Sequence, residues 1–177
     1  MLGALSLGKN YYGVDTNPKL VEKLKECAND FNAVNGTNLV SDVRCVGSEI
    51  LQEDLVGKMG LCFSSPPYFN LEIYEGENTS TNLYGDNYKH WVRGYLAPTI
   101  WNCKEYLVSG GYFTMNIANG LNGLNLYDDA KTIASAIGGL KFIGEEELFE
   151  RNGRQNFTKQ NKYQEKIMVF QKDTTCR

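Results

Sequence analysis

Histidine and paired cysteine, the residues that metal and thiol chemistry draw on, are scarce in this sequence. Its 177 residues include one histidine, His90, and five scattered cysteines, Cys27, Cys45, Cys62, Cys103 and Cys176, with no Cys-x-x-Cys pair. That inventory argues against a zinc site, and no metal is expected. Cys45, Cys62 and Cys103 lie among apolar neighbours and are expected to be buried thiols of a reduced, cytoplasmic protein. No apolar run approaches the length of a membrane span, and the opening "MLGALSLGKN" lacks a signal peptide's basic start. The net charge of −3 shows no excess of either sign that would announce a nucleic-acid or membrane partner, although a local basic patch is compatible with it. Repeats, low-complexity tracts and linkers are also missing. A chain of this length, burying roughly 70% of its unfolded surface, is therefore expected to form one domain over residues 1–177.

What is present is an alternation of strand-like and helix-like segments. "NYYGVD" reads as a strand, and Pro18 opens a helix on which Leu20, Leu24, Cys27 and Phe31 share a face. "LVSDVRCVG" predicts a second strand, "SEILQEDL" a short helix and "GLCFSS" a third strand. Residues 69 to 87 are polar and predict a long excursion with little regular structure, which in a compact domain points to function or disorder. Residues 88 to 107 are helical in period, with Pro98 bending or splitting the helix and "SGG" ending it. "YFTMNIAN", the helix "LYDDAKTIASAIGG" and the strands "LKFIGEEELF" and "YQEKIMVFQK" complete the pattern. Such alternation predicts an α/β fold with a mostly parallel sheet, the last two strands forming an antiparallel pair at one edge.

Ligands of an open parallel sheet bind beyond the carboxyl ends of its strands, and three features fall there. Asp15, with Asn17 close behind it, ends the first strand; its carboxylate is placed either to accept ribose hydroxyls or to cap the helix that begins at Pro18. Ser48 and Glu49 follow the second strand and suit either an adenine amine or a plain helix start. The third feature is the corner Ser65-Pro66-Pro67-Tyr68. Prolines cannot donate to a sheet ladder, so the strand must stop there.

Ser65-Pro66-Pro67-Tyr68 at a strand end resembles the (Asp/Asn/Ser)-Pro-Pro-(Tyr/Phe/Trp) motif of S-adenosylmethionine-dependent methyltransferases that modify exocyclic amino groups, the DNA N4-cytosine and N6-adenine methylases. "NYYGVDTNP" is similar to the strand whose terminal acid holds the cofactor ribose. "GGYFTMNIAN" and "YQEKIMVFQK" resemble later strands of that fold. The resemblance implies a Rossmann-like class I methyltransferase fold with S-adenosylmethionine held by Asp15, Asn17, Ser48 and Glu49. It also implies that the Ser65 hydroxyl and the Pro66 carbonyl accept the two N–H bonds of the target amine. Pro67 would stiffen the corner and Tyr68 would stack on a base taken out of its helix. Phe69 and Asn70 are candidates to help hold the target, Phe69 being equally a core residue. Asn116 and Asn119, at the end of the following strand, are further candidates to face the pocket, while Phe113, Met115 and Ile117 read as core. No Pro-Cys dipeptide occurs, which argues against the covalent-cysteine route of cytosine C5 methylation.

The family's glycine-rich loop and the strand before it have no counterpart ahead of "YYGVD", so the first strand is expected to be missing and apolar surface to be exposed where it would pair. A preceding segment or a second chain is the expected source of the missing part. DNA is the expected partner, and no membrane is. Arg151, Arg154, Lys159, Lys162 and Lys166, interleaved with Phe157 and Tyr163, fit either a surface contacting phosphates and bases or a solvated hairpin. A serine at the head of the motif leans toward cytosine N4. RNA or a protein amide as substrate, and a methyltransferase-like subunit that binds without turnover, stand as alternatives.

Overall fold

A computed structural model describes residues 1–69, 79–85, 87–118, 123–147 and 166–174. Among the described residues, six strands and six α-helical segments keep the alternation the sequence suggests, with one short helix, Ser80–Tyr84, inside the 69–87 stretch expected to have little regular structure. Helix α1 (Leu2–Ser6) leads to β1 (Tyr11–Asp15), α2 (Pro18–Asn35) and β2 (Ser41–Cys45). After β3 (Met59–Ser64) come α3 (Ser80–Tyr84), α4 (Tyr88–Trp91) and α5 (Ala97–Tyr106). Strand β4 (Leu107–Ile117), helix α6 (Leu126–Ala136), β5 (Leu140–Glu147) and β6 (Lys166–Lys172) complete the chain.

The strands form two sheets among the described residues: β1 with β2, and β3-β4-β6-β5. Strands β1 and β2 run parallel, as do β3 and β4, whereas β6 is antiparallel to both β4 and β5. The C-terminal strand is thus the antiparallel member, one place in from the β5 edge. Strands β1 and β3 each keep one edge without a strand partner among the described residues. Beside the free edge of β3, Leu61 and Phe63 are each 61% exposed. Their neighbour Cys62, on the opposite face, is buried with Phe113, Met115, Ile117, Met168 and Phe170. The exposed face of β3 is thus apolar at Leu61 and Phe63.

Local chemistry departs from the sequence reading in several places. The buried stripe of α2 carries Val21 and Ala28, while Leu20 is exposed; small Ala28 lets the helix approach β1 and β2 closely. Residues 48 to 55 form turns and a short 3-10 segment, Glu53–Leu55, rather than an α-helix. "SGG" does not cap α5, which ends at Tyr106. Ser109 to Gly111 instead lie within β4, where the pairing with β3 slips between Met59 and Leu61. Gly110, at φ 77, supplies the left-handed residue such a bulge requires. Cys45, expected to be buried, is exposed, and its thiol points at the Thr16 carbonyl.

Pro98 neither splits nor ends its helix. The backbone from Tyr88 to Tyr106 is continuously helical, with a π-helical stretch, Val92–Leu96, directly before it. A proline ring crowds the carbonyl four residues back, here Gly94, and removes one N–H; widening the turn relieves both.

The segment after β2 is stitched to α5. Ser48 Oγ and Thr99 Oγ1 lie 2.8 Å apart, Asn102 Nδ2 donates to the Ser48 carbonyl at 2.9 Å, and the Gln52 amide donates to the Tyr106 hydroxyl at 2.8 Å. Thr99 and Asn102 are both buried. Asn102→Ala is expected to cost about 1–3 kcal/mol in urea unfolding, because it strips a donor from a partly buried carbonyl. An unchanged midpoint and slope would show that this bond carries no net stability.

Candidate functional site

The corner that ends β3 is held from below and open above. Ser65 is exposed, Pro66 buried, and Pro67 and Tyr68 half-buried, Tyr68 packing against the main core cluster. Phe69 closes the corner at φ 54, a left-handed conformation that a bulky residue adopts only under constraint. Its amide donates to the Pro67 carbonyl at 3.0 Å. Its ring is buried edge-on to Tyr88 and Trp91, with centroids 5.6 and 5.9 Å away. Phe69 therefore sits in the core beneath the corner. Met115 pairs with Ser64, which sets Asn116 of β4 level with Ser65; Asn116 is half-buried, with its Oδ1 out of solvent.

A second cluster gathers the residues that follow β1 and β2. Asp15 Oδ1 accepts the Asn17 amide at 2.8 Å, and Asn17 Oδ1 in turn accepts the amides of Lys19 and Leu20, so Asn17 caps α2. Glu49 folds back over Gly47, its Oε1 accepting the Tyr84 hydroxyl at 3.4 Å. Its Oε2 is buried with no hydrogen-bond partner. An orphaned buried carboxylate oxygen is costly and suits a ligand that brings an N–H or O–H.

Tyr95 and Tyr84 wall this cluster, and the sequence reading named neither as a site residue. Burial pushes the Tyr95 hydroxyl up to about 12, Ser48 pulling it back by hydrogen bonding while the charges of Glu49 and Asp15 push it further. Asp15, Ser48 and Glu49 thus all act on one phenol, and the structure brings these three together. Burial raises Tyr84 too, with Glu49 adding to the shift. Neither tyrosine carries a local sequence signal of that position, which arises only where α3 and the π-helical stretch meet the segment after β2. Asn70, Asn119, Arg151, Arg154, Lys159 and Lys162 lie outside the described residues. Lys166, the last of the basic run, starts β6 and donates to Glu145. Among the described residues no cluster of His, Cys, Asp or Glu could hold a metal, and no helix is long and apolar enough to cross a membrane.

No known family pattern matches the sequence, and no curated protein does. Solved structures do. A SAM-dependent methyltransferase from Methanosarcina mazei superposes with a TM-score of 0.62 at 11% identity, covering 97% of this chain and 86% of that one. The N-methyltransferase NodS from Bradyrhizobium japonicum WM9 gives 0.57 at 9%, covering 93% and 74%. A methyltransferase from Pyrococcus furiosus gives 0.55 at 13%, covering 94% and 64%. Each of these chains extends beyond the part matched here.

A Tyr95 hydroxyl raised from its ordinary value of 10 to about 12 keeps its proton longer in the folded state than in the unfolded one. Its contribution to stability is therefore complete below pH 10 and is lost as the pH rises toward about 12. The unfolding free energy is expected to fall across that window, less steeply in Tyr95→Phe, as read by urea titrations at stepped pH. Equal slopes in the two proteins would contradict the assignment. With the parallel β3–β4 core, the antiparallel β6 and the superpositions taken together, the chain has the Rossmann-like fold of S-adenosylmethionine-dependent methyltransferases.

Proposed function

We propose that this chain is an S-adenosylmethionine-dependent methyltransferase acting on an exocyclic amino group of a DNA base, cytosine N4 or adenine N6. The observation that carries the reading is the Ser65-Pro66-Pro67-Tyr68 corner at the end of β3, with Ser65 exposed above the buried Pro66. The residues after β1 and β2 fit the adenosine end of the cofactor. Glu49 Oε2 awaits a donor, Ser48 lies beside it, Asp15 ends β1, and Tyr84 and Tyr95 flank them. When bound there, the cofactor supplies an electrophilic methyl group.

The chain's own residues do the rest by holding the amine. A base NH2 is a poor nucleophile because its lone pair is drawn into the ring. Ser65 Oγ and the Pro66 carbonyl would accept its two N–H bonds, bend the nitrogen toward tetrahedral geometry and free the lone pair. Two consecutive prolines and the core-anchored Phe69 keep those acceptors fixed, so little reorganisation is needed at the moment of transfer. The half-buried Tyr68 ring offers a stacking face for a base turned out of its duplex. The proton shed by the nitrogen passes to solvent, which reaches the exposed Ser65.

Incubation with labelled S-adenosylmethionine and unmethylated DNA is expected to place label on cytosine N4 or adenine N6. Ser65→Ala is expected to lower kcat by about 10²–10³-fold, by analogy with the loss of one preorganised hydrogen bond to a reacting group. Tyr68→Ala is expected to weaken the use of target DNA while leaving cofactor affinity intact. Label on RNA or on protein amides but not on DNA would redirect the substrate assignment. Unchanged transfer in Ser65→Ala would overturn the role of the corner.

A further inference from the structure

Helix α3 is only five residues long, yet it touches both halves of the site. At its start, Thr81 Oγ1 donates to the carbonyl of Phe69, the residue that closes the target corner, at 3.2 Å. Beside it the buried Ser80 accepts the Trp91 indole N–H at 3.3 Å, and Trp91 itself stands against the Phe69 ring. At its end, Tyr84 reaches Glu49 in the other cluster at 3.4 Å. The Tyr84 ring seats directly on Gly94; a Cβ at that position would come within 2.4 Å of the ring. Gly94 lies in the π-helical stretch before Pro98, the same stretch that carries Tyr95.

Two features make this link stiff. Thr79 caps α3, accepting the Asn82 amide at 3.2 Å, which fixes its first turn. Phe69 is held in a left-handed conformation that persists only while its surroundings enforce it. Thr81 grips the carbonyl of that residue, so a shift of α3 is a shift of the constraint on the corner.

We propose that α3 is a strut that fixes the distance and angle between the Ser65–Tyr68 corner and the Glu49 cluster, with Thr81 and Tyr84 as positioning residues at its two ends and Gly94 as the seat. The proposal rests on reading the corner as the target site and Glu49 as a cofactor contact. Methyl transfer is an in-line displacement, and a misplacement of about 1 Å between the partners can cost 10²-fold in rate. A strut that spans both halves gives the fold a means of meeting that tolerance even though its two sheets share no strand pairing among the described residues.

Hydrogen exchange at the Tyr68 and Phe69 amides tests the strut without cofactor or substrate. Thr81→Val is expected to speed exchange there by about tenfold, the usual consequence of losing one hydrogen bond, and Thr81→Ser to restore it. The decisive variant is Gly94→Ala, which unseats Tyr84 at the far end of α3 from Phe69. It is expected to speed exchange at Tyr68 and Phe69 as well, with β4 amides at Phe113 and Met115 unchanged. Wild-type exchange at the corner in Gly94→Ala, or an increase spread evenly through β4, would overturn the strut whether or not the chain proves to be a methyltransferase. In turnover, Thr81→Val is expected to lower kcat with S-adenosylhomocysteine affinity unchanged, a split that loss of fold alone would not give.

Discussion

The grip of α5 on the segment after β2 is the constraint on which the rest of the site depends. The two sheets share no ladder hydrogen bonds among the described residues, so the β1–β2 half is located by side chains instead. Ser48 against Thr99, Asn102 on the Ser48 carbonyl and Tyr106 under the Gln52 amide do that work within a few residues of Glu49. Thr99 and Asn102 are polar groups buried at a helix face that would otherwise be apolar. Buried polar groups of this kind are tolerated when each finds its partner, and then they specify one arrangement rather than many. The arrangement specified here sets Ser48 and Glu49 beside Tyr95.

From that anchor the remaining geometry follows. Pro98 widens the turn before it, and the widened stretch carries Gly94 and Tyr95, one seating Tyr84 and the other facing Ser48. Tyr84 belongs to α3, whose other end holds Phe69, and Phe69 holds the corner in which Ser65 is exposed. The chain of contacts runs from the buried Asn102 to the corner that carries the exposed Ser65. Beneath it the aromatic set Phe69, Tyr88, Trp91 and Tyr95 makes edge-on, tilted and stacked contacts with ring centroids 5.3 to 6.2 Å apart, a packing that leaves few alternative rotamers.

The strands were legible in the sequence because their signals are local. Tyr11–Asp15, Met59–Ser64 and Lys166–Lys172 are short runs rich in β-branched, aromatic or other apolar residues, and the Ser-Pro-Pro corner marks its own strand end. The corner and the acid at the end of β1 were legible for the same reason. What failed depends on tertiary contact. "SEILQEDL" has helical periodicity, yet its backbone is claimed by Asn102 and Tyr106 from α5, partners more than fifty residues away. "SGG" has the look of a helix cap, yet its flexibility is used for a register slip against β3. Tyr84 and Tyr95 carry no local mark of their role, since each becomes part of the site only when α3 and the π-helical stretch meet the segment after β2. Phe69 reads equally well as a stacking surface or as core, and only its left-handed backbone and buried ring show which it is.

Calorimetric titration of the chain with S-adenosylhomocysteine, in the wild type and in Glu49→Gln, tests the central claim most directly. Saturable one-to-one binding by the wild type is expected, with clear weakening when the Glu49 carboxylate is neutralised. A folded wild-type chain that takes up no S-adenosylhomocysteine, or a Glu49→Gln variant that binds as tightly as the wild type, would contradict it.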